Sequence, residues 1–235
     1  LSDEVIGASW CPTDGHANPL TTTLGYYKRA LDMGVRFYTD APVKELKKVK
    51  GRVRKVILND GTVFEGETVI LVAGYESRAI ARTIGVDVPM TRLIDECFVT
   101  EMQPHMIDVM FGCADVDFYG HQTKHGSFVF GSDSGWESVT EMVDPSTNVP
   151  DPSRLTTNSY TLSASCRAIE NYIPALKDAK IVRSWAGWLD ESFDGVPLLS
   201  PVEEAPGLIL ACGFTGHGFG TAPAVGLMLA QMATG

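Results

Sequence analysis

Apolar and polar positions along the chain change period several times, and each change marks an element. In "ANPLTTTLGYYKRALDMG" (17–34), Leu20, Leu24, Tyr27 and Leu31 recur at helical spacing. Asn18 suits the N-cap, Pro19 the first helical position and Gly34 the end. Three β-type runs follow: "VRFYTDAPVKEL", "GRVRKVILN" and "GTVFEGETVILVAG". Asn59-Asp60-Gly61 marks a hairpin turn between the second and third. The third ends in five apolar residues, Val69–Ala73, the pattern of a strand buried on both faces in a parallel sheet. "GLILAC" (207–212) has the same character, and a helix-like tail, "LMLAQMATG", closes the chain.

Between Arg92 and about Lys180 the pattern differs. Short alternating runs such as "ECFVTE" and "SFVFGSD" predict antiparallel strands. A polar, proline-containing loop, "DPSTNVPDPSRLTT", precedes a helix with Leu162, Cys166, Ile169 and Ile173 on one stripe. The fold class expected is mixed α/β: a parallel-sheet layer interrupted in sequence by an antiparallel-sheet segment. No internal repeat or low-complexity tract is seen.

Composition narrows the function classes. The 235 residues, 44% of them apolar, suffice for one large domain or two small ones with a real core. A net charge of −10 argues against nucleic acids and anionic membranes as partners. No apolar run reaches membrane-spanning length. Five scattered cysteines, with no CxxC pair, indicate neither a disulfide framework nor a zinc site, and read as a reducing cytoplasm. The histidines lack metal-ligand spacing: His121 and His125 are four apart, but in a strand-and-turn context. His16, just before a helix, reads as a capping or surface residue. "GSDSG" (131–135) carries Asp133 where a nucleophile elbow requires serine, which disfavours a serine hydrolase.

The densest signal is "GFTGHGFGTAPAVG" (213–226), a glycine-rich turn between an apolar strand and a helix. A strict GxGxxG fails, since the last position is Thr221 or Pro223. A helix N-terminus still offers free N–H groups and partial positive charge, and glycines let a flat ligand approach the backbone. The alternative is a tight turn packed against another element. "SWAGWLDESFDGVPLLSP" (184–201) reads either as an aromatic wall beside a ligand or as a strand with Trp185 and Trp188 in the core.

Four segments in this order resemble the D-amino-acid-oxidase-like superfamily of FAD-dependent oxidoreductases, which includes glycine oxidase, sarcosine oxidase and amino-acid or opine dehydrogenase subunits. They are "CPTDGHANPLTTTL", the meander from "APVKEL" to "TVILVAG", "RSWAGWLDESFDGVPLLSP" and "GFTGHGFGTAPAVG". The resemblance implies a flavin-binding α/β domain in two parts, 1–90 and 183–235, with an antiparallel substrate domain at 91–182. It implies that the Val43 backbone meets the adenine, that Ala73 and Gly74 pass near the cofactor, and that Gly187 lines the flavin ring. It places Gly213, Phe214, Thr215, Gly216, His217, Gly218, Phe219 and Gly220 in the turn facing the flavin pyrimidine edge. Tyr119, His121, Gln122, Trp188 and Asp190 are candidates for the substrate side, with no catalytic role assigned to any residue and no metal expected.

The activity implied is oxidation of an amine or amino acid by hydride transfer to FAD. Partners would be that small molecule and either a partner subunit or further copies of the chain. The rival readings are a non-catalytic assembly module that keeps the fold without the cofactor, and a binding protein for another nucleotide. Two departures matter. The N-terminal GxGxxG unit that relatives use for the pyrophosphate is absent from the sequence, so on this reading either the chain is a C-terminal piece of a longer enzyme or that part is supplied otherwise. Leu189 stands where amino-acid oxidases carry a carboxylate-binding Arg, and Gly220 where sarcosine-oxidase-like enzymes carry Lys. With these positions vacant, either the cation comes from the absent N-terminal part, or from Arg183 or Lys124, or the substrate is a bulkier secondary amine such as an opine or N-substituted amino acid. No Cys lies in 185–197, so FAD attachment is expected to be non-covalent.

Overall fold

The computed structural model describes residues 1–116, 118–133, 157 and 159–235. The first helix, α1, runs Pro19–Asp32. Asn18 caps it by accepting from the Thr21 N–H at 2.9 Å, and Gly34 leaves it with φ +89°. Its expected apolar stripe is not buried: Leu20, Leu24, Tyr27 and Leu31 are all exposed, and no residue of α1 is buried in this chain. Helical spacing sets which residues share a face but not what covers that face.

Residues 35–42 are neither helix nor strand, so the first β-type run becomes a strand only at Val43. Strands β1 (Val43–Val49), β2 (Arg52–Leu58) and β3 (Val63–Glu65) form an antiparallel meander in the order β1-β2-β3. The Asn59-Asp60-Gly61 turn is present. Gly61 takes φ +87°, its N–H donates to the Leu58 carbonyl, and the Asp60 carboxylate accepts from the Thr62 N–H at 2.8 Å.

The parallel layer is β4 (Val69–Leu71) beside β11 (Leu208–Cys212), with β10 (Leu198–Pro201) antiparallel on the far side of β11. All of β11 is buried because it is the central strand. The expectation that Val69–Ala73 is buried on both faces requires correction: β4 lies at the sheet's edge, and Ile70 and Val72 are exposed. A run of apolar residues predicts a parallel-sheet strand but not its place in the strand order. After β4 come a single 3-10 turn, Gly74–Glu76, and a short helix, α2 (Ser77–Arg82).

Strands β5 (Met90–Met102), β6 (Phe111–Gly112), β7 (Tyr119–Gln122), β8 (Ser127–Asp133) and β9 (Ile181–Ser192) form a five-stranded sheet in the order β6-β7-β8-β5-β9. Phe98, Phe128 and Phe130 on one face pack with Ile169, Ile173 and Leu176. Ile169 belongs to α3 (Ser159–Tyr172), where the stripe read from sequence is largely realised: Leu162 and Cys166 pack against the same core. The loop expected at 144–157 and the end of "GSDSG" lie, except for Thr157, outside the described residues. The last helix, α4, runs Gly218–Thr234, so it starts inside the glycine-rich turn, well before the tail read as helical.

The chain divides into two compact units. One gathers 1–17 with the described parts of 94–141 and 150–188; the other gathers 18–93 with 189–235. Each has a core of its own. In the second, Leu46, Val53, Leu71, Met90, Leu208 and Cys212 belong to one buried cluster.

Candidate functional site

Two sets of chemistry-bearing groups emerge, one in each unit. In the second unit, β4 and β11 run parallel with Leu71 beside Leu210. Their carboxyl ends therefore lie side by side, bringing Ala73 and Gly74 next to the turn that starts at Gly213. A crevice beyond the carboxyl ends of parallel strands is where open α/β sheets bind ligands.

The turn is anchored by Asp190 at the end of β9. Its Oδ2 accepts from the Gly213 N–H at 2.6 Å and the Phe214 N–H at 3.3 Å, while its carbonyl accepts from the Thr215 N–H at 2.8 Å. Thr215 takes φ +49°, and its hydroxyl lies 3.4 Å from that of Ser192. A β-branched residue at positive φ is strained, and these contacts hold it there. Asp190, considered for the substrate side, thus has its carboxylate on the turn.

The glycines divide by surroundings. A Cβ on Gly213 would meet Leu198 Cδ1 at 2.8 Å, and one on Gly218 would meet Phe214 Cβ at 3.2 Å. A Cβ on Gly74 or Gly220 would meet nothing within 4 Å. The turn is packed on one side and open on the other. Among the described residues no side chain caps α4 at His217, so the first N–H groups of this helix, at the positive end of its dipole, are left without a side-chain acceptor. Val43, in the same unit, opens edge strand β1 opposite Leu58. Cys212, at the end of β11, is fully buried, and burial pushes its thiol up to about 11.

In the first unit the chemistry sits on the sheet face opposite the phenylalanines. Register aligns Tyr119 with Gly131 and Cys97 in one row, and His121 with Val129 and Val99 in the next. The Tyr119 ring lies across Gly131, in the space a Cβ there would fill, and its hydroxyl donates to Asp95 Oδ2 at 3.0 Å. Burial, with Asp95 and Cys97 nearby, raises the Tyr119 phenol far above its ordinary value, so it stays protonated. Burial and Asp95 push Cys97 up to about 11. His121 stacks on His16 with ring centroids 4.6 Å apart and planes 28° apart.

The candidates on β7 separate by alternation. Tyr119 and His121 share the face just described, whereas Gln122 is buried on the other. Its Oε1 accepts from the Met106 and Ile107 N–H groups, and its Nε2 donates to the Pro104 and Gly126 carbonyls. That geometry makes Gln122 a strut for the 103–107 segment. Gly187 and the half-buried Trp188 lie on β9, with Trp185 exposed. Sequence reasoning missed Asp95, the contact between His16 and His121, and the anchoring roles of Asp190 and Thr215. Each depends on strand register or chain path, which leaves no local signal. Among the described residues, no group of three His, Cys, Asp or Glu side chains is placed to hold a metal ion.

Residues 1–232 match the model of a family described as FAD dependent oxidoreductase. The chain belongs to that family. It is 29% identical over 213 residues to the beta subunit of sarcosine oxidase from Rhizobium meliloti (strain 1021), covering 88% of this chain and 46% of that protein. It is 26% identical to the hydrogen cyanide synthase subunit HcnC of Pseudomonas protegens (strain DSM 19095 / LMG 27888 / CFBP 6595 / CHA0), covering 99% and 52%. The chain therefore spans about half the length of these relatives. Among solved structures, L-proline dehydrogenase from P. horikoshii superposes with a TM-score of 0.83 at 28% identity, covering 96% of this chain and 57% of that one. Glycine oxidase from Geobacillus kaustophilus shares the fold, with a TM-score of 0.74 at 18% identity, covering 91% and 53%.

The open side of the glycine turn fits the cofactor of this family. Uncrowded Gly74 and Gly220, together with the uncapped N-terminus of α4, suit a flat ring system with an electron-rich edge.

Proposed function

We propose that this chain forms part of an FAD-dependent oxidoreductase that oxidises the carbon–nitrogen bond of an amine or amino acid. The observation that supports this best is the turn 213–220: anchored by Asp190 on one side, open on the other, and set where two parallel strands end. Bound FAD would supply the hydride-accepting chemistry that converts the amine to an imine, which water then hydrolyses. The backbone N–H groups at the start of α4 would stabilise negative charge at the edge they face, because they are oriented before any charge develops. Ala73 and Gly74 would bound the same space, the Val43 backbone would meet the adenine, and Gly187 would line the ring system. On this reading 1–90 and 183–235 hold the cofactor and 91–182 the substrate.

The substrate side would be the face carrying Tyr119 and His121, with Trp188 as an aromatic neighbour. Tyr119 would act as a hydrogen-bonding phenol. Cys212, which leads into the turn, is buried in the core, which favours non-covalent attachment. The pyrophosphate-binding GxGxxG unit is not among these 235 residues, and we assign it to a companion segment or polypeptide. Both relatives named above are themselves subunits, which fits an assembly of that kind.

The test has two arms. Isothermal titration of the 235-residue chain with FAD should give weak binding, and a submicromolar Kd would contradict the division of the cofactor site. The protein with its companion should show flavin bleaching under anaerobic conditions with at least one amine in a panel of amino acids and N-substituted amino acids. An unbleached spectrum across the panel would remove the enzymatic reading in favour of an assembly module.

A further inference from the structure

We propose that His16 and His121 together form a carboxylate-binding dyad on the open face of the five-stranded sheet. The inference rests on the functional reading above for the identity of the ligand, the carboxylate of the substrate. It rests on the structure for the site itself.

The two rings are stacked at 4.6 Å, one from the N-terminal segment and one from β7. Stacking leaves the ring edges, where the nitrogens are, free to donate. Among the described residues no side chain or backbone group hydrogen-bonds to a nitrogen of either ring. With His121 half-buried and His16 exposed, these nitrogens are open to a bound group, and when protonated both ring nitrogens donate.

The row that holds His121 is apolar, and the carboxylates nearby lie along the sheet or in the exposed N-terminal segment. In the His121 row the neighbouring strands present Val129 and Val99, which are apolar. The carboxylate of Asp95 belongs four residues further along β5, about 13 Å at strand rise, with the Tyr119 row between. Asp133 lies opposite Asp95 in register, at the same far end, and between there and His121 Tyr119 and Cys97 are held neutral by burial. Glu101 accepts from the Lys180 N–H. From the N-terminal segment, Asp14 is exposed and accepts from its neighbour Gly15, and Cys11 contacts Thr13. Beyond β7, Lys124 is exposed at the turn and adds positive charge.

Burial and the facing His16 both lower the pKa of His121. Two stacked imidazoles resist carrying two charges, and a bound carboxylate relieves that resistance. Anion binding should therefore draw a proton onto the pair. Such a dyad is a carboxylate-binding group built wholly within one unit of the chain. It admits simple amino acids as well as N-substituted ones, provided they carry a carboxylate.

The test uses the 235-residue chain, with 2-furoate as a non-oxidisable probe and 2-furamide as its uncharged counterpart. Histidine Cε1–H resonances are followed by NMR from pH 5 to 8. Furoate should raise the apparent pKa of His121, and its Kd should rise about tenfold per pH unit above that pKa because the protonated form binds. His16→Gln, in an exposed segment, should weaken furoate about tenfold or more and flatten the pH dependence, as should His121→Gln. Furamide should bind weakly and without pH dependence. Unchanged furoate affinity in His16→Gln, equal binding of furamide, or no furoate binding across this pH range would overturn the dyad. None of these readouts involves flavin, so the dyad and the flavoenzyme reading can fail separately.

Discussion

The glycine turn at 213–220 and the open face of the five-stranded sheet would present a ligand with different parts of the chain. At the turn, what a ligand would meet is backbone. Asp190 and Thr215 act by fixing the path of the main chain, and the glycines matter for what they lack. On the sheet face, a ligand would meet side chains: a neutral phenol, a pair of imidazoles and an apolar floor of valines. Backbone sites tolerate many sequences as long as the path is kept. Side-chain sites change specificity with single substitutions.

The contrast is most severely tested at Asp190. Replacing it by Ala removes the acceptor for two backbone N–H groups, one at 2.6 Å. The cost should be about 2–3 kcal/mol, because charged acceptors contribute more than neutral ones and the donors are left part-buried. Urea unfolding would measure it; a loss under about 0.5 kcal/mol would show that the turn holds its path unaided. Gly131→Val comes next, since its side chain would occupy the place of the Tyr119 ring. Overpacking of this kind costs about 1–3 kcal/mol and should displace Tyr119 from Asp95, visible in tyrosine near-UV circular dichroism.

Tyr119→Phe is milder. It removes one hydrogen bond to the Asp95 carboxylate, worth about 1.5 kcal/mol, and leaves the ring over Gly131. If the sheet face is the substrate side, this variant should alter KM or kcat in the assembled enzyme while FAD affinity is unchanged. A change in FAD affinity alone would break the division of labour.

Away from both sites, Arg78 and Arg82 each contact Asp87 at 2.8 Å and hold its carboxyl well below the usual carboxylate range. The folded pKa is depressed, so this contribution is complete at neutral pH. It is lost as pH falls from the ordinary value, about 3.9, toward the folded one. Because Asp87 is 58% exposed, its contribution should stay below about 1 kcal/mol, and Asp87→Asn should flatten stability below pH 4 only slightly. The smallest effect on stability belongs to Gly220→Ala. A methyl there meets nothing within 4 Å, so unfolding should shift by less than about 0.5 kcal/mol while FAD affinity in the assembled protein falls. Unchanged FAD affinity would remove Gly220 from the cofactor side.

Local chemistry was legible residue by residue. Asn18, Pro19 and Gly34 bound the first helix, the Asn59-Asp60-Gly61 hairpin formed, and the helix stripe through Ile169 entered the core. The family was legible too, because its glycine turn and meander are short segments whose spacing survives in one dimension. The candidate site was legible only in part. Tyr119 and Gln122 look equivalent in sequence, three residues apart on one strand, yet the pleat sends them to opposite faces.

The amino-acid sequence by itself determined which segments become helix, hairpin or strand, since capping, turn chemistry and periodicity act over a few residues. Only the tertiary structure decided what each segment faces. Register set Tyr119 across Gly131, strand order left β4 at an edge, and chain path brought His16 onto His121 and Asp190 under the glycine turn. These contacts join residues well separated along the chain. They follow from how whole elements pack, and no local pattern encodes them.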